Sequence, residues 1–263
     1  TSGSELEIMY KQKFGSFNFY AGGNISFTKN KISDIAEPAP SDSYLTAKGN
    51  PINQPFVLEF LGFFKDQADI SKSPTQLFGS VVPGDIKYKD QNGDGVIDNR
   101  DRKAFGFTSL PQMFYGFNLG FDYKGFDFSA SLNGAAGNKI FQGLRRIDIG
   151  PYANFQSKAL GRWTGEGTSD TYPRLTIADD NQNFTRFSDF YLENGDYLRL
   201  KLITFGYTLP SRVVNTIGAS KVRFYVTGEN LLTLTKYTGY DPEIGGNTFG
   251  IDRGYYPQAQ TFM

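Results

Sequence analysis

Two runs of strict alternation in the middle of the chain constrain its fold more than any other feature. In Tyr115–Tyr123, aromatic and aliphatic side chains share one face, and glycine, asparagine and aspartate share the other. Lys124 and Gly125 then turn the chain, and the alternation continues from 126 to 133. A two-residue turn between such runs predicts an antiparallel β-hairpin. A soluble sandwich alternates too, but tyrosines at both ends of the apolar face favour membrane-barrel strands.

The same pattern recurs along the chain and brings the predicted number of strands to seven. Residues 5–14 and 17–28 form a second predicted hairpin around Gly15 and Ser16. Three further strands are predicted over residues 196–209, 222–232 and 255–263. In the first of these, the apolar phase slips by one residue after Leu202, which indicates a β-bulge.

Short and long connections between the predicted strands alternate strictly. The short ones lie near residues 15, 124 and 210–220, and the long ones span residues 30–109, 138–187 and 233–254. Outer-membrane barrels have short periplasmic turns and longer extracellular loops, whereas a sandwich has no reason for this alternation. The sequence therefore predicts an all-β fold, an antiparallel transmembrane β-barrel segment whose three long loops are extracellular.

Composition narrows the possible functions. The chain has no histidine and no cysteine, which excludes a Ser-His-Asp triad, a thiol nucleophile and the common zinc sites. Its formal net charge of zero gives no reason to expect nucleic acid as a partner. A glycan hydrolase would need two carboxylates roughly 5 to 10 Å apart in a cleft, and no recognisable catalytic motif supplies them. We therefore expect no enzymatic activity.

A run of oxygen-bearing side chains in the first long loop has the spacing of an EF-hand calcium loop. The predicted metal ligands are Asp90, Asn92, Asp94, Asp98, Asp101 and the carbonyl of Val96. Gly95 would supply the sharp turn, but Asp101 replaces the usual glutamate, and the flanking sequences are extended in pattern, not helical. The alternative is a cluster of Asx turns without an ion. The spacing favours a structural Ca²⁺ that holds the loop.

The second long loop carries arginine and aromatic side chains that could stack on sugars or bind a partner. The candidates are Arg145, Arg146, Trp163 and Arg174. A surface loop that packs on itself explains these residues equally well.

Five ordered segments of the chain resemble SusC/RagA-type TonB-dependent outer-membrane transporters, in their C-terminal part. The segments read GDIKYKDQNGDGVIDNRDR, GFNLGFDYKGFDFS, YLENGDYLRLKLITFGYTLP, VRFYVTGENLLTLTKYTGYDPEIG and DRGYYPQAQTF. The resemblance implies import of glycans or peptides through a plugged barrel. The implied partners are a SusD-like surface lipoprotein, TonB and the rest of the transporter including its plug. The implied location is the outer membrane of a Gram-negative, Bacteroidota-like cell, with the wall in contact with lipid.

The chain departs from that family in two ways. It carries neither the plug nor the segment that contacts TonB, and its seven predicted strands are fewer than the roughly 22 of a plugged transporter. We therefore expect a piece of a larger transporter. The alternative function is a soluble or surface-exposed, calcium-stabilised β-rich module that binds carbohydrate. Dependence on detergent distinguishes the two, because only the barrel piece would require it.

Overall fold

The computed structural model describes residues 1–106, 108–143, 155–244 and 250–263. The long strands are β1 (Ser2–Phe14), β2 (Phe17–Lys29), β9 (Met113–Tyr123), β10 (Phe126–Ala136), β13 (Tyr197–Thr208) and β14 (Arg223–Thr235). The short strands are β3 (Phe56–Val57), β4 (Phe60–Phe63), β5 (Thr75–Gln76), β6 (Ile86–Tyr88), β7 (Val96–Ile97), β8 (Lys103–Ala104), β11 (Lys139–Gln142), β12 (Leu192–Asn194), β15 (Ile251–Asp252) and β16 (Thr261–Phe262).

Helices are few and short. The α-helices are α1 (Gln67–Lys72) and α2 (Ser211–Thr216), and the 3₁₀ turns are Ser43–Leu45, Asn99–Asp101, Ser157–Gly161 and Asp189–Tyr191. In the described part of the chain, no helix has the length and apolar character needed to cross a membrane.

One seven-stranded antiparallel sheet, which we call the wall, has the order β1-β2-β9-β10-β13-β14-β16. Its strands correspond in number and order to the seven that the alternating pattern predicts, so this part of the prediction is confirmed. The last strand is shorter than predicted, because only Thr261–Phe262 of the segment 255–263 forms a strand that pairs with β14. Lys124 (φ 47°) and Gly125 (φ 91°) both have positive φ, as the two-residue turn between β9 and β10 requires. In the first hairpin, Phe14 pairs with Phe17 across the two-residue turn between β1 and β2.

The predicted bulge in β13 is present, one residue earlier than expected. Ser131 of β10 pairs with Leu202, but the next residue, Leu132, pairs with Leu200, which leaves Lys201 as the extra residue. The sequence pattern assigns Leu202 to the same face as Leu200. That assignment is wrong, because the bulge moves Leu202 to the face shared with Ser131.

The two faces of the wall differ in chemistry along their whole width. At the hairpin end, one face carries an unbroken row of register-paired aromatic residues: Phe14, Phe17, Tyr123, Phe126, Tyr207 and Phe224. Apolar side chains on this face stay exposed, for example 49% for Phe117 and 64% for Val226. The opposite face carries small and polar residues such as Asn118, Gly120 and Ser131. An apolar face of this extent with an aromatic border fits contact with lipid.

The long connections pack together into a body with its own core, which we call the loop body. Its main cluster of buried side chains is Leu58, Ile86, Tyr88, Ile97, Phe141 and Tyr191. Small sheets frame this core, in the orders β12-β11-β15, β3-β8, β4-β6 and β5-β7. The apolar segment 56–64 lies here, and Val57, Leu58 and Phe64 are each at most 1% exposed. The wall therefore presents apolar side chains outward, whereas the loop body buries them.

Candidate functional site

The aspartate-rich loop, residues 90–101, follows β6 in the loop body and contains β7 and the 3₁₀ turn Asn99–Asp101. Its first turn is built on Asp90, whose carboxylate accepts hydrogen bonds from the N–H groups of Gly93 (2.7 Å) and Gly95 (2.8 Å). Both glycines have positive φ, 76° and 83°, which side-chain-bearing residues rarely adopt. Asp94 accepts from the N–H of Val96 at 2.9 Å. The short Asp/Asn/Gly spacing thus produces a tight turn that is held by side-chain to backbone hydrogen bonds.

A guanidinium group neutralises two of these carboxylates. Arg100 Nη2 lies 2.6 Å from Asp94 Oδ2, and its Nε lies 3.2 Å from Asp98 Oδ2. The N–H of Val96 is the largest influence that lowers the pKa of Asp94 below its ordinary value, and Arg100 adds to it. Asp101 is fully buried and accepts the N–H groups of Gln91 and Asp98 at 2.8 and 2.7 Å. Asn92 also bonds to Asp94, so each predicted ligand that uses its side chain has a partner within the protein.

This donor arrangement does not converge on a cation. Within the described ranges, no group of three or more histidine, cysteine, aspartate or glutamate side chains is disposed to hold a metal ion. Arg100 stands between Asp94 and Asp98, where a Ca²⁺ would draw its oxygens together. The Asx turns match the ion-free alternative as well as the EF-hand spacing. Calcium binding at this loop stays a prediction, and it requires Arg100 to leave Asp94.

A second polar centre is built on Asp85, which is fully buried. Its Oδ1 accepts from Arg174 Nε at 2.5 Å and from Asn183 Nδ2 at 2.8 Å, and its Oδ2 accepts from the N–H of Val82 at 2.9 Å. Arg174, a candidate for contacts with ligands or partners, is thus paired inside the loop body. Its side chain is 23% exposed. This pairing joins two segments 89 residues apart in sequence.

Trp163, another candidate, packs on the turn that precedes Asp85. A Cβ at Gly84 would lie 2.3 Å from the Trp163 ring, so only glycine permits this contact. The N–H of Arg174 also donates to the carbonyl of Gly84 at 3.0 Å. Trp163 and Arg174 are therefore brought together on one turn, where they fix the two long loops to each other. The other two candidates, Arg145 and Arg146, lie outside the described residues.

A chain of buried amides extends this junction, and no pattern in the sequence predicts it. Gln76 Nε2 donates to Asn181 Oδ1 at 2.7 Å, and Asn181 Nδ2 donates to Asn183 Oδ1 at 2.9 Å. Asn183 Oδ1 also accepts from the N–H of Ile86 at 2.8 Å. Gln76 and Asn181 are 105 residues apart, so no local spacing links them. Nearby, burial raises the pKa of Asp179, whose carboxylate accepts two backbone N–H groups.

Comparison with known proteins gives one consistent family by sequence. No protein-family model matches the chain. TonB-dependent receptor P3 of Formosa agariphila is 29% identical over 94% of this chain, and receptor P26 of the same organism is 30% identical over 94%. TonB-dependent receptor SusC of Bacteroides thetaiotaomicron is 26% identical over 91%. The chain spans only 26%, 26% and 23% of these relatives, about a quarter of their length.

Solved structures give the same fold. The RagAB peptide transporter matches with a TM-score of 0.74 at 22% identity, over 99% of this chain and 28% of the matched chain. RagAB in its open-open state matches with a TM-score of 0.71. The relatives are outer-membrane proteins, and the exposed apolar face of the wall agrees with that location. In sequence and in fold, the chain therefore resembles one part of the SusC/RagA-type TonB-dependent receptors, which confirms the resemblance carried by its motifs.

Proposed function

We propose that this chain forms part of the wall and of the extracellular loops of an outer-membrane nutrient importer. The observation that carries the proposal is the two-faced wall, which is apolar and bordered by aromatics on one side and polar on the other. A barrel wall requires this arrangement, because one side meets lipid and the other meets an aqueous or protein-filled lumen. The loop body connects the strand ends opposite the tight hairpins, as extracellular loops do.

The finer parts of the proposal concern energy, partner and cargo. The similarity to receptors named as TonB-dependent supports energy coupling through TonB. It also supports a SusD-like surface lipoprotein as partner, docked on the loop body. The cargo class is an oligosaccharide or a peptide. The resemblance of the motifs to SusC/RagA-type transporters implies either class, and the fold match to a peptide transporter supports the second.

A soluble carbohydrate-binding module is the weaker candidate. Side chains such as Leu232 (53% exposed) and Phe224 (63% exposed) would face water across the whole wall. Monomeric soluble proteins rarely expose a contiguous apolar area above a few hundred Å². The relatives and the fold match are importers or receptors, so neither comparison supports a catalytic function.

Uptake assays on cells that lack the complete gene test the proposal. We expect the deletion to abolish growth on one class of oligosaccharide or peptide, and the intact gene to restore it. A lipoprotein should copurify with the complete protein from detergent extracts, and should be lost when the loop body is disrupted by Asp85→Ala. Unchanged growth on every glycan and peptide tested, or recovery of the protein from the soluble fraction, would contradict the proposal.

A further inference from the structure

The wall has one seam where the backbone ladder is incomplete. β14 pairs with β13 along its whole length, from Arg223 to Thr235. On its other side it pairs with β16 only at Gly228↔Phe262 and Glu229↔Thr261, extended by two bonds between Thr227 and Met263 (2.8 and 2.9 Å). Among the described residues, the ladder between β14 and β16 does not continue from Glu229 toward Thr235. In a membrane, backbone groups in such a gap need other partners.

Side chains bridge the lower part of this gap. Asn230 Nδ2 donates to the carbonyl of Ala259 at 3.0 Å, and Gln260 Nε2 donates to the carbonyl of Leu231 at 3.1 Å. Asn230 has a φ of 54°, the left-handed region that asparagine tolerates better than most residues. The β14 strand bulges here, because Leu200 pairs with Leu232 and Leu202 pairs with Glu229. The bulge is what ends the regular ladder.

A buried ion pair joins the upper part. Arg199 of β13, 2% exposed, lies on the polar face beside its register partner Thr233, whose Oγ1 accepts from Arg199 Nε at 2.9 Å. Arg199 Nη2 donates to Asp241 Oδ1 at 2.6 Å, and Nη1 donates to Glu243 Oε2 at 2.7 Å. Lys201 Nζ lies 3.6 Å from the same Glu243 oxygen. Asp241 is itself only 8% exposed.

Asp241 connects the two sides of the seam. While Oδ1 binds the guanidinium of Arg199, Oδ2 accepts the N–H of Gln258 at 2.9 Å. One carboxylate thus holds the strand β13 and the segment that descends into β16. A buried charge left without its partner is strongly unfavourable, so either residue alone would destabilise this junction. The connection between β14 and β16 is also closed by Tyr237, whose hydroxyl donates to Asp252 Oδ2 at 2.5 Å.

We infer that Arg199 and Asp241 form a latch that closes the upper half of the seam between β14 and β16. The latch takes the place of the missing backbone ladder: it holds residues 253–260 against the polar face of the wall. Glu243 and Lys201 support it from one side. The inference does not depend on the cargo or on the lipoprotein partner, so import can fail as a proposal while the latch stands.

Hydrogen–deuterium exchange of the complete receptor in detergent tests the latch. In Arg199→Gln and Asp241→Asn variants, we expect exchange in residues 230–235 and 253–260 to rise on the order of a hundredfold, while β9 and β10 stay unchanged. The matched control is Arg223→Gln. Arg223 pairs with Asp127 on the same polar face, across Gly206, but the side chains are 31% and 26% exposed. That variant should leave the seam unchanged.

The milder Glu243→Gln variant keeps the test decisive if the two main variants fail to insert. It keeps the bond between Arg199 and Asp241 and removes only the negative charge of Glu243 beside Arg199. Exchange in the same two segments should therefore rise about tenfold. Heat-modified mobility on gels establishes that each variant is folded. Exchange at the seam no faster than in Arg223→Gln, in folded Glu243→Gln or Arg199→Gln protein, would overturn the latch.

Discussion

The wall and the loop body contain similar residues but expose opposite kinds of side chain. The wall leaves phenylalanines such as Phe117 exposed and turns its glycines and asparagines inward. The loop body buries Phe141 and Phe64. It also holds Asp85, Asn181 and Gln76 in its interior, where Asn183 links Asp85 to Asn181 and Gln76 bonds to Asn181 and to the backbone. The difference shows that the surroundings determine whether an apolar residue is exposed or buried. In lipid, an apolar exterior is stable, whereas in water a protein needs an apolar core whose buried polar groups are hydrogen-bonded.

Asp85→Ala should have the largest effect on this contrast, and only on the loop body. The change leaves the guanidinium of Arg174 and the amide of Asn183 without their common acceptor. Loss of one partner of a buried charge pair costs about 3–5 kcal/mol. Limited proteolysis should cut the loop body much faster, while the wall keeps its heat-modified mobility.

Asp34→Ala is the matched control for that variant. Asp34 pairs with Lys48, but its side chain is 89% exposed, so the expected effect is below about 1 kcal/mol. Equal proteolysis of the two variants would show that Asp85 does not hold the loops together.

Leu119→Arg should break the wall and spare the loop body. Leu119 lies midway along β9 on the apolar face, between Tyr115 and Tyr123. Arginine at the middle of a lipid face costs about 2–4 kcal/mol. Unfolding of the complete protein in lipid vesicles by denaturant measures the loss. Asn118→Arg, one residue away on the polar face, should unfold like the unaltered protein; an equal loss in both would mean that the faces are assigned wrongly.

The sequence predicted the wall well because its signal is local. A strand's two faces alternate every two residues, so Tyr115–Tyr123 displays its whole environment within nine residues. The bulge at Lys201 was visible as a phase slip, although its position was off by one residue. The interior contacts of the loop body could not be predicted from the sequence pattern. Its decisive bonds, such as Gln76 to Asn181 and Arg174 to Asp85, join residues that no short spacing relates.

The aspartate-rich loop falls between these cases. Its spacing predicted the tight turn at Asp90, which the structure contains, and a calcium ion, which stays a prediction. The spacing does not reveal Arg100 as a competitor of the ion, because its approach to Asp94 depends on the 3₁₀ turn Asn99–Asp101. Trp163 and Arg174 were identified as candidate contacts by residue type alone, and residue type does not reveal that both pack on Gly84.

Calcium titration tests whether this loop binds the ion, and the expected effect on stability is moderate. If the ion binds, roughly a hundredfold excess over Kd adds about 2.7 kcal/mol to the stability of the loop body. Arg100→Gln removes the guanidinium that competes for Asp94 and should therefore bind calcium more tightly than the unaltered protein. Isothermal titration on both proteins measures this. No heat of binding in either would establish the ion-free cluster of Asx turns.

The smallest expected effect is a pH dependence from Asp179. Burial raises the pKa of this carboxyl above its ordinary value, so the folded state holds its proton more tightly than the unfolded chain does. The stability it contributes is complete below the ordinary pKa of about 3.9 and is lost as the pH rises through the raised value. Thermal unfolding of the loop body across this range, compared with Asp179→Asn, measures it. A difference between the two proteins that is constant with pH would contradict the assignment.

Sidedness of the wall is tested most directly by labelling single cysteines on intact cells. This chain has no cysteine, so each introduced thiol is the only one it carries. Ile177→Cys lies in the loop body at a side chain that is 71% exposed, and Ser16→Cys lies in the tight turn between β1 and β2. A membrane-impermeant maleimide should label Ile177→Cys from outside, and Ser16→Cys only after the outer membrane is permeabilised. Equal labelling of both from outside, or labelling of Ser16→Cys alone, would contradict a membrane-spanning wall with extracellular loops.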